Sequence, residues 1–139
     1  MTDSLRIART FPATRARVYR AWTDAADLAR WYAPGDGMQL SIDALDVRVG
    51  GRYQATFGMP GESPFVEAGE YHEVAPGERL VFDMSLARDG RVFSRSRCTV
   101  ELVARGEQTQ LILTDEGEDA GEHATGWAPA LNNLARLLA

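Results

Sequence analysis

The sequence predicts an α+β fold, in which a curved antiparallel β-sheet of about seven strands wraps around a long C-terminal helix. Two short helices are expected after the first strand. Between residues 38 and 114, apolar and polar residues alternate, and turns rich in Gly, Pro and Asp separate the alternating segments. An apolar stripe at helical spacing follows, formed by Trp127, Leu131, Leu134 and Leu138. Because this stripe must be buried and the sheet offers the large apolar surface, we expect the helix to lie across the sheet.

The first elements are one strand and two short helices. A strand is predicted over residues 5–11, where apolar side chains alternate and a proline follows. Thr14 can cap a first amphipathic helix, and Asp24 can cap a second one over residues 25–32. The Ala-Pro-Gly-Asp-Gly cluster at 33–37 ends the second helix.

Six further strands follow, joined by short turns. They are predicted at residues 38–45, 52–57, 65–74, 79–86, 92–103 and 108–114. The strand over 65–74 is expected to be bulged, because apolar residues of both parities occur in it.

Pro129 interrupts the pattern of the terminal helix, because it lacks an N–H and its ring clashes with the preceding turn. Two interpretations follow. Either the helix begins near Trp127 with Pro129 in its first turn, or a longer helix from about Asp119 kinks near Thr125.

Composition limits the chemistry that the chain can perform. The 139 residues, 45% of them hydrophobic, predict one globular domain over 1–139. All 15 basic residues are Arg, which excludes lysine-dependent catalysis. One Cys and two His exclude a disulfide, a multi-cysteine metal centre and a three-histidine site, so we expect no metal and no cofactor. A net charge of −5 argues against a nucleic-acid partner.

The expected location is the cytoplasm. The N-terminal residues contain no apolar core of a signal peptide, and no run of apolar residues is long enough to span a membrane. A free cysteine fits a reducing compartment. The use of Arg without Lys, with abundant Ala, indicates a bacterial, GC-rich genome.

Several segments in order resemble one known family. They are PATRARVYRAW (12–22), LARWYAP (28–34), DVRVGGRY (46–53), GEYHEVAP (69–76), RLVF (79–82), TQLILT (109–114) and EHATGW (122–127), followed by Leu131 and Leu134. Together they are similar to the homologues of the activator of heat-shock protein 90 ATPase, within the START-like, helix-grip (SRPBCC) superfamily.

The resemblance implies a β-α-α-β6-α helix-grip fold with a hydrophobic cavity. It implies little about activity, because relatives of this shape include lipid carriers, cyclases, self-sacrificing resistance proteins and co-chaperones. Asp115 stands where the family often has His. The resemblance also places helix before the Gly126-Trp127 pair, which favours the kinked interpretation of Pro129.

The gap between sheet and helix is the candidate ligand site. Its candidate lining residues face inward and are aromatic, apolar or small: Trp31, Tyr53, Phe57, Tyr71, Phe82, Met84, Ser96, Cys98, Leu113, His123, Trp127 and Leu131. Plain core packing is the alternative for each of them. The polar atoms of Tyr53, Tyr71 and Trp127 need partners when buried, and a ligand could supply one.

Asp115 and His123 are the candidate catalytic residues. Asp115 continues the inward parity of its strand, and His123 precedes Trp127 by one helical turn. If the two side chains meet, the carboxylate raises the proton affinity of the imidazole and orients its ring, which gives a general base or a ligand anchor. A purely structural ion pair is the alternative. A Ser-His-Asp spacing is not evident, and Glu70 with His72 would make only a weak metal site.

Three functions stay open at this point. The first is binding of a small hydrophobic molecule, aromatic or lipid-like, in the gap. The second is a cyclase-, hydratase- or hydrolase-type enzyme that uses His123, Asp115 or a cavity tyrosine as acid or base. The third is a co-chaperone-like domain that modulates a chaperone ATPase. We rank binding ahead of catalysis. An exposed apolar patch on the terminal helix or the first helices would support a homodimer.

Overall fold

The alternating segments form seven strands, with the helices in the predicted order. The structure, a computed structural model, describes residues 3–139. Its elements are β1 (Asp3–Phe11), α1 (Arg15–Thr23), α2 (Ala25–Trp31), β2 (Gln39–Leu45), β3 (Arg52–Gly58), β4 (Phe65–Ala75), β5 (Arg79–Arg88), β6 (Arg91–Arg105), β7 (Gln108–Gly117), a 3₁₀ turn (Ala120–His123) and α3 (Ala124–Leu138). The strands make one antiparallel sheet in the order β1-β7-β6-β5-β4-β3-β2. The predicted α+β fold, with a curved sheet and a long C-terminal helix, is confirmed.

Both predicted helix caps are present. The Thr14 hydroxyl accepts a hydrogen bond from the Arg17 backbone N–H, and the Asp24 carboxylate accepts one from the Asp27 N–H. The two helices are also joined by a buried bond, which Trp31 Nε1 donates to the Ala21 carbonyl at 2.8 Å. These contacts hold α2 against α1, and they fix the position of Tyr32 directly after α2.

The concave face of the sheet packs against α3. All four residues of the predicted helical stripe are buried, and the core includes Val100, Leu111 and Leu113 from the neighbouring strands. Burial of large aliphatic side chains contributes about 1.5–3 kcal/mol each, so this seam stabilises the position of the helix. The contacts of α3 with β1, and the bond from Trp127 to Asp115 of β7, place this seam on the side of the sheet formed by β1 and β7.

Two bulges alter the predicted alternation. The register between β2 and β3 shifts at Asp43, so Ala44 is exposed and Leu45 packs against the core, contrary to simple alternation. The register between β5 and β6 shifts at Phe93. The predicted irregularity in β4 occurs at His72.

The terminal helical segment begins at Ala120, one residue after the predicted Asp119. A 3₁₀ turn changes to α-helix at Ala124, next to Thr125, where the sequence predicted a kink. The α-helix then continues through Pro129. The shorter alternative, a helix that begins near Trp127, is therefore wrong.

The exposed large hydrophobic residues of the described chain lie outside the helices. They are Val49, Met59, Val92 and Phe93. A homodimer surface was expected on the terminal helix or on the first two helices, so the position differs from that expectation. The apolar faces of the helices are buried in the core, where they pack against the sheet and against each other. None of the described helices combines the length and the apolar composition that crossing a membrane requires.

Gly69 allows a close approach between two strands. It pairs with Tyr53 across β3 and β4, and the Tyr53 ring lies over it. A Cβ added at Gly69 would lie 2.0 Å from Tyr53 Cε1 and 2.7 Å from the Asp83 carbonyl oxygen. The absence of a side chain at this position therefore sets the orientation of Tyr53.

We expect Gly69→Ala to lower the free energy of unfolding by about 1–3 kcal/mol, because both the Tyr53 ring and the backbone must move. Gly35→Ala is the matched control. There the added Cβ meets the flexible Met38 side chain at 3.2 Å, and the loss should stay below about 1 kcal/mol. Urea denaturation measures both values, and equal losses would contradict the role given to Gly69.

Candidate functional site

A cavity of about 420 Å³ lies between the sheet and the beginning of α3. It is bounded by β3, β4, β5 and β6, by the connection after α2, and by the helical segment from Asp119 onward. Its walls are formed by Tyr32, Pro34, Met38, Phe57, Phe65, Glu67, Met84, Leu86, Phe93, Asp119, Glu122, His123, Thr125, Gly126, Trp127 and Ala130. The volume falls within the range of ligand pockets, about 300–1,000 Å³.

Four of the twelve predicted lining residues are on these walls: Phe57, Met84, His123 and Trp127. Three others, Tyr53, Tyr71 and Phe82, line a separate void of about 20 Å³, which has room for little more than a water molecule. The remaining five are buried elsewhere: Trp31, Ser96, Cys98, Leu113 and Leu131.

The difference has a physical cause. Alternation shows which face of the sheet a side chain takes, but the path of α3 decides whether that face is covered by protein. Leu113 and Leu131 lie in the seam beneath the helix, so core packing is the interpretation that the structure supports for them.

Glu67 is the principal residue that sequence analysis missed. It lies in β4 with the inward parity of Tyr71, and it is 6% exposed. Tyr32 Oη and Tyr53 Oη both donate hydrogen bonds to Glu67 Oε2, at 2.7 and 2.6 Å. The partner of the Tyr53 hydroxyl is therefore this carboxylate. The parity of β4 contained the signal for Glu67, but a glutamate in a strand is usually solvent-exposed.

Burial and hydrogen bonding act in opposite directions on Glu67. Desolvation raises the pKa of the Glu67 carboxyl above its ordinary value, and the two tyrosine hydroxyls partly offset that rise. Burial, together with the adjacent carboxylate, raises the pKa of both tyrosines. Tyr32 and Tyr53 therefore act as hydrogen-bond donors in this site.

Asp115 and His123 are in contact, as the sequence suggested. Asp115 is fully buried in β7, and its Oδ2 lies 2.7 Å from His123 Nδ1 and accepts a second bond from Trp127 Nε1 at 2.9 Å. The hydrogen bond to Asp115 raises the pKa of the His123 imidazole, and burial opposes this rise. Asp115 Oδ1 is buried without a hydrogen-bond partner among residues 3–139.

Ser94 extends this pair into a chain of hydrogen bonds. Its Oγ lies 2.8 Å from His123 Nε2 and donates a bond of 2.8 Å to Asp119 Oδ1. Ser94, His123 and Asp115 thus follow the order of a hydrolase triad, which sequence analysis did not detect because the residues are far apart in the chain.

The surroundings of Ser94 do not suit a nucleophile. Ser94 is 6% exposed and is not among the cavity walls, and its hydroxyl proton is directed to Asp119. A serine nucleophile must face its substrate and pass its proton to the histidine. A protonated His123, in contrast, donates from Nδ1 to Asp115 Oδ2 and from Nε2 to Ser94 Oγ, which leaves the Ser94 proton for Asp119.

His72 does not combine with Glu70. The bulge in β4 directs its ring to Asp83, 2.7 Å away on an exposed face. Within the described range, no three His, Cys, Asp or Glu side chains cluster closely enough to hold a metal ion.

The pKa of His123 tests the coupling to Asp115. In Asp115→Asn the charged partner 2.7 Å from Nδ1 is lost, so we expect the pKa of His123 to fall. Asp119→Asn is the control, and it should lower this pKa less, because Asp119 Oδ1 is 3.8 Å from Nε2. NMR titration of the ring protons measures both, and an unchanged pKa in Asp115→Asn would contradict the account.

Comparisons with known proteins identify a matching family and solved structures of the same fold. The profile of the family described as "Activator of Hsp90 ATPase homolog 1-like protein" matches residues 12–139. A protein from Rhizobium loti is 30% identical, with a TM-score of 0.84 over 98% of this chain and 96% of that one. A protein from Chromobacterium violaceum is 28% identical, with a TM-score of 0.87 over 97% and 96% of the two chains.

More distant structures share the fold alone. A protein from Mycobacterium smegmatis has a TM-score of 0.85 at 17% identity, over 98% of this chain and 90% of that one. No curated protein matches the chain. The match over residues 12–139, together with the observed sheet and helix, shows that the chain belongs to the family of activator of Hsp90 ATPase homolog 1-like proteins.

Proposed function

We propose that the protein binds a small hydrophobic molecule, aromatic or lipid-like, in the cavity between the sheet and α3. The observation that carries the proposal is the cavity itself, with a volume of about 420 Å³ and mainly apolar and aromatic walls. Side chains in a protein interior normally pack without voids larger than a water molecule. An open space of this size beside a well-packed helical seam therefore favours a ligand.

The mouth of the cavity supports the same proposal. Phe93 is 53% exposed, and its ring lies 6.0 Å from that of Phe65, which in turn stacks with Phe57 at 5.7 Å. The bulge in β6 occurs at Phe93. A ligand that contacts these rings would remove apolar surface from water, at about 25 cal/mol per Å².

A second candidate function is acid–base catalysis on the bound molecule. His123 favours catalysis, because this residue is on the cavity wall and its Nδ1 is hydrogen-bonded to Asp115, which orients the ring. Native mass spectrometry of protein purified from its own host, where we expect it in the cytoplasm, would separate the two candidates. A bound molecule that stays unchanged during incubation favours a carrier, and its conversion favours an enzyme. The co-chaperone alternative draws on the family description, and the cavity favours the binding proposal over it.

Ala130→Phe should block the cavity. Ala130 is 3% exposed and is on the cavity wall, so a larger side chain there takes up ligand space. We expect binding of the uncharged fluorescent probe N-phenyl-1-naphthylamine to weaken by about tenfold or more. Fluorescence titration measures the affinity, and circular dichroism verifies that the variant is folded.

Ala128→Phe is the matched control on the same helix. Ala128 is half-buried and is not among the cavity walls, so this variant should bind the probe with nearly unchanged affinity. If the unmodified protein does not bind the probe, or if both variants bind it as the unmodified protein does, the cavity is not the binding site.

A further inference from the structure

We propose that the cavity selects ligands whose polar end is a protonated amine, and that Glu67 Oε1 is the group that receives it. This inference rests on the proposed binding function and adds the chemistry of the ligand head group. It follows from the hydrogen bonds of Glu67, from the charges around the cavity and from the aromatic rings beside the carboxylate.

The two oxygens of Glu67 have different roles. Oε2 accepts both tyrosine hydrogen bonds, which fixes the carboxylate in one orientation. Oε1 receives no hydrogen bond from any group within residues 3–139, although Glu67 is more than nine-tenths buried and is part of the cavity wall. A carboxylate oxygen on a cavity wall that has no donor from the protein can accept a hydrogen bond from a ligand, and a charged donor gains the most affinity.

The charges around the cavity favour a cation. Besides Glu67, the walls carry Asp119 and Glu122, and no arginine from the described part of the chain is among them. His123 is the one basic group on these walls. It is already paired with Asp115 at 2.7 Å and lies 3.8 Å from Asp119, so a positive charge on its ring is offset by these two carboxylates. The nearby Arg88 guanidinium stacks on Phe65 and donates to the Ser63 carbonyl.

Aromatic rings share the cavity wall with Glu67. Tyr32 binds Glu67 directly, and the Tyr32 and Trp127 rings are 5.9 Å apart and nearly perpendicular. Rings of this kind attract a cation through their faces. The apolar body of such a ligand would extend toward Phe57 and Phe65. An anionic head group would meet three carboxylates.

A matched series of ligands tests the inference on the unmodified protein. The series is 1-naphthylmethylamine, 1-naphthylmethanol and 1-naphthoate, which carry a cationic, a neutral and an anionic group on the same ring system. Isothermal titration calorimetry at pH 7 and constant ionic strength gives the three affinities. We expect the affinity for the amine to exceed that for the alcohol by about tenfold or more, and the naphthoate to bind least tightly.

Glu67→Gln should lower the ratio of amine to alcohol affinity by about tenfold, because the amide keeps the shape of the side chain and loses its charge. Glu70→Gln is the matched control on the same strand. Glu70 is exposed and is not among the cavity walls, so this ratio should stay unchanged. If Glu67→Gln does not fold, the ligand series on the unmodified protein decides alone.

The outcomes separate the inference from the proposed function. Equal or tighter binding of the alcohol would overturn the inference, since a protonated Glu67 presents a donor that favours neutral ligands, and the binding function would stand. Tightest binding of naphthoate would overturn it too. Failure of all three compounds and of N-phenyl-1-naphthylamine to bind would contradict the binding function itself.

Discussion

One buried carboxylate oxygen, Asp115 Oδ2, holds the beginning of the C-terminal helix on the sheet. It accepts hydrogen bonds from both His123 and Trp127, which lie one helical turn apart, so these two bonds orient the start of the helix over β7. From that anchor the apolar stripe of α3 continues along the core to Leu138. Because one side of the sheet is covered in this way, the inner face of β3, β4 and β5 stays partly uncovered next to the helix start, and that uncovered region is the cavity.

The two buried carboxylates on the concave face therefore differ in what they can do. Asp115 accepts bonds from His123 and Trp127 on Oδ2 and has no donor on Oδ1 among residues 3–139, but it is fully enclosed and is not among the cavity walls, so a ligand there does not reach it. Glu67 is held by two tyrosine hydroxyls on one oxygen, and its second oxygen has no donor among the described residues. A carboxylate that is already oriented, and that has one oxygen free to accept a hydrogen bond, is suited to a ligand, because it was largely desolvated when the protein folded. The fold needs Asp115, whereas the proposed recognition needs Glu67.

Much of the fold could be predicted from the sequence, because its signals are local. The caps at Thr14 and Asp24, the strand alternation and the stripe from Trp127 to Leu138 each depend on a few neighbouring residues. Parity and helical spacing also indicated Asp115 and His123 as a candidate pair, and the two side chains are in contact. The site was harder to predict because its features are not local. Tyr32 and Tyr53 converge on Glu67 from different elements, and Ser94 of β6 reaches His123 in the 3₁₀ turn after β7. The bulges at Asp43 and Phe93 shift the alternation of inward and outward side chains.

A crystal structure of the protein with 1-naphthylmethylamine tests the central claim most directly, since it shows where the head group lies. We expect the ring system between Phe57, Phe65 and Trp127, and the amine nitrogen at hydrogen-bond distance, about 2.7–3.2 Å, from Glu67 Oε1. A head group bound at the mouth beside Glu122, or a ligand bound outside the cavity, would contradict that claim.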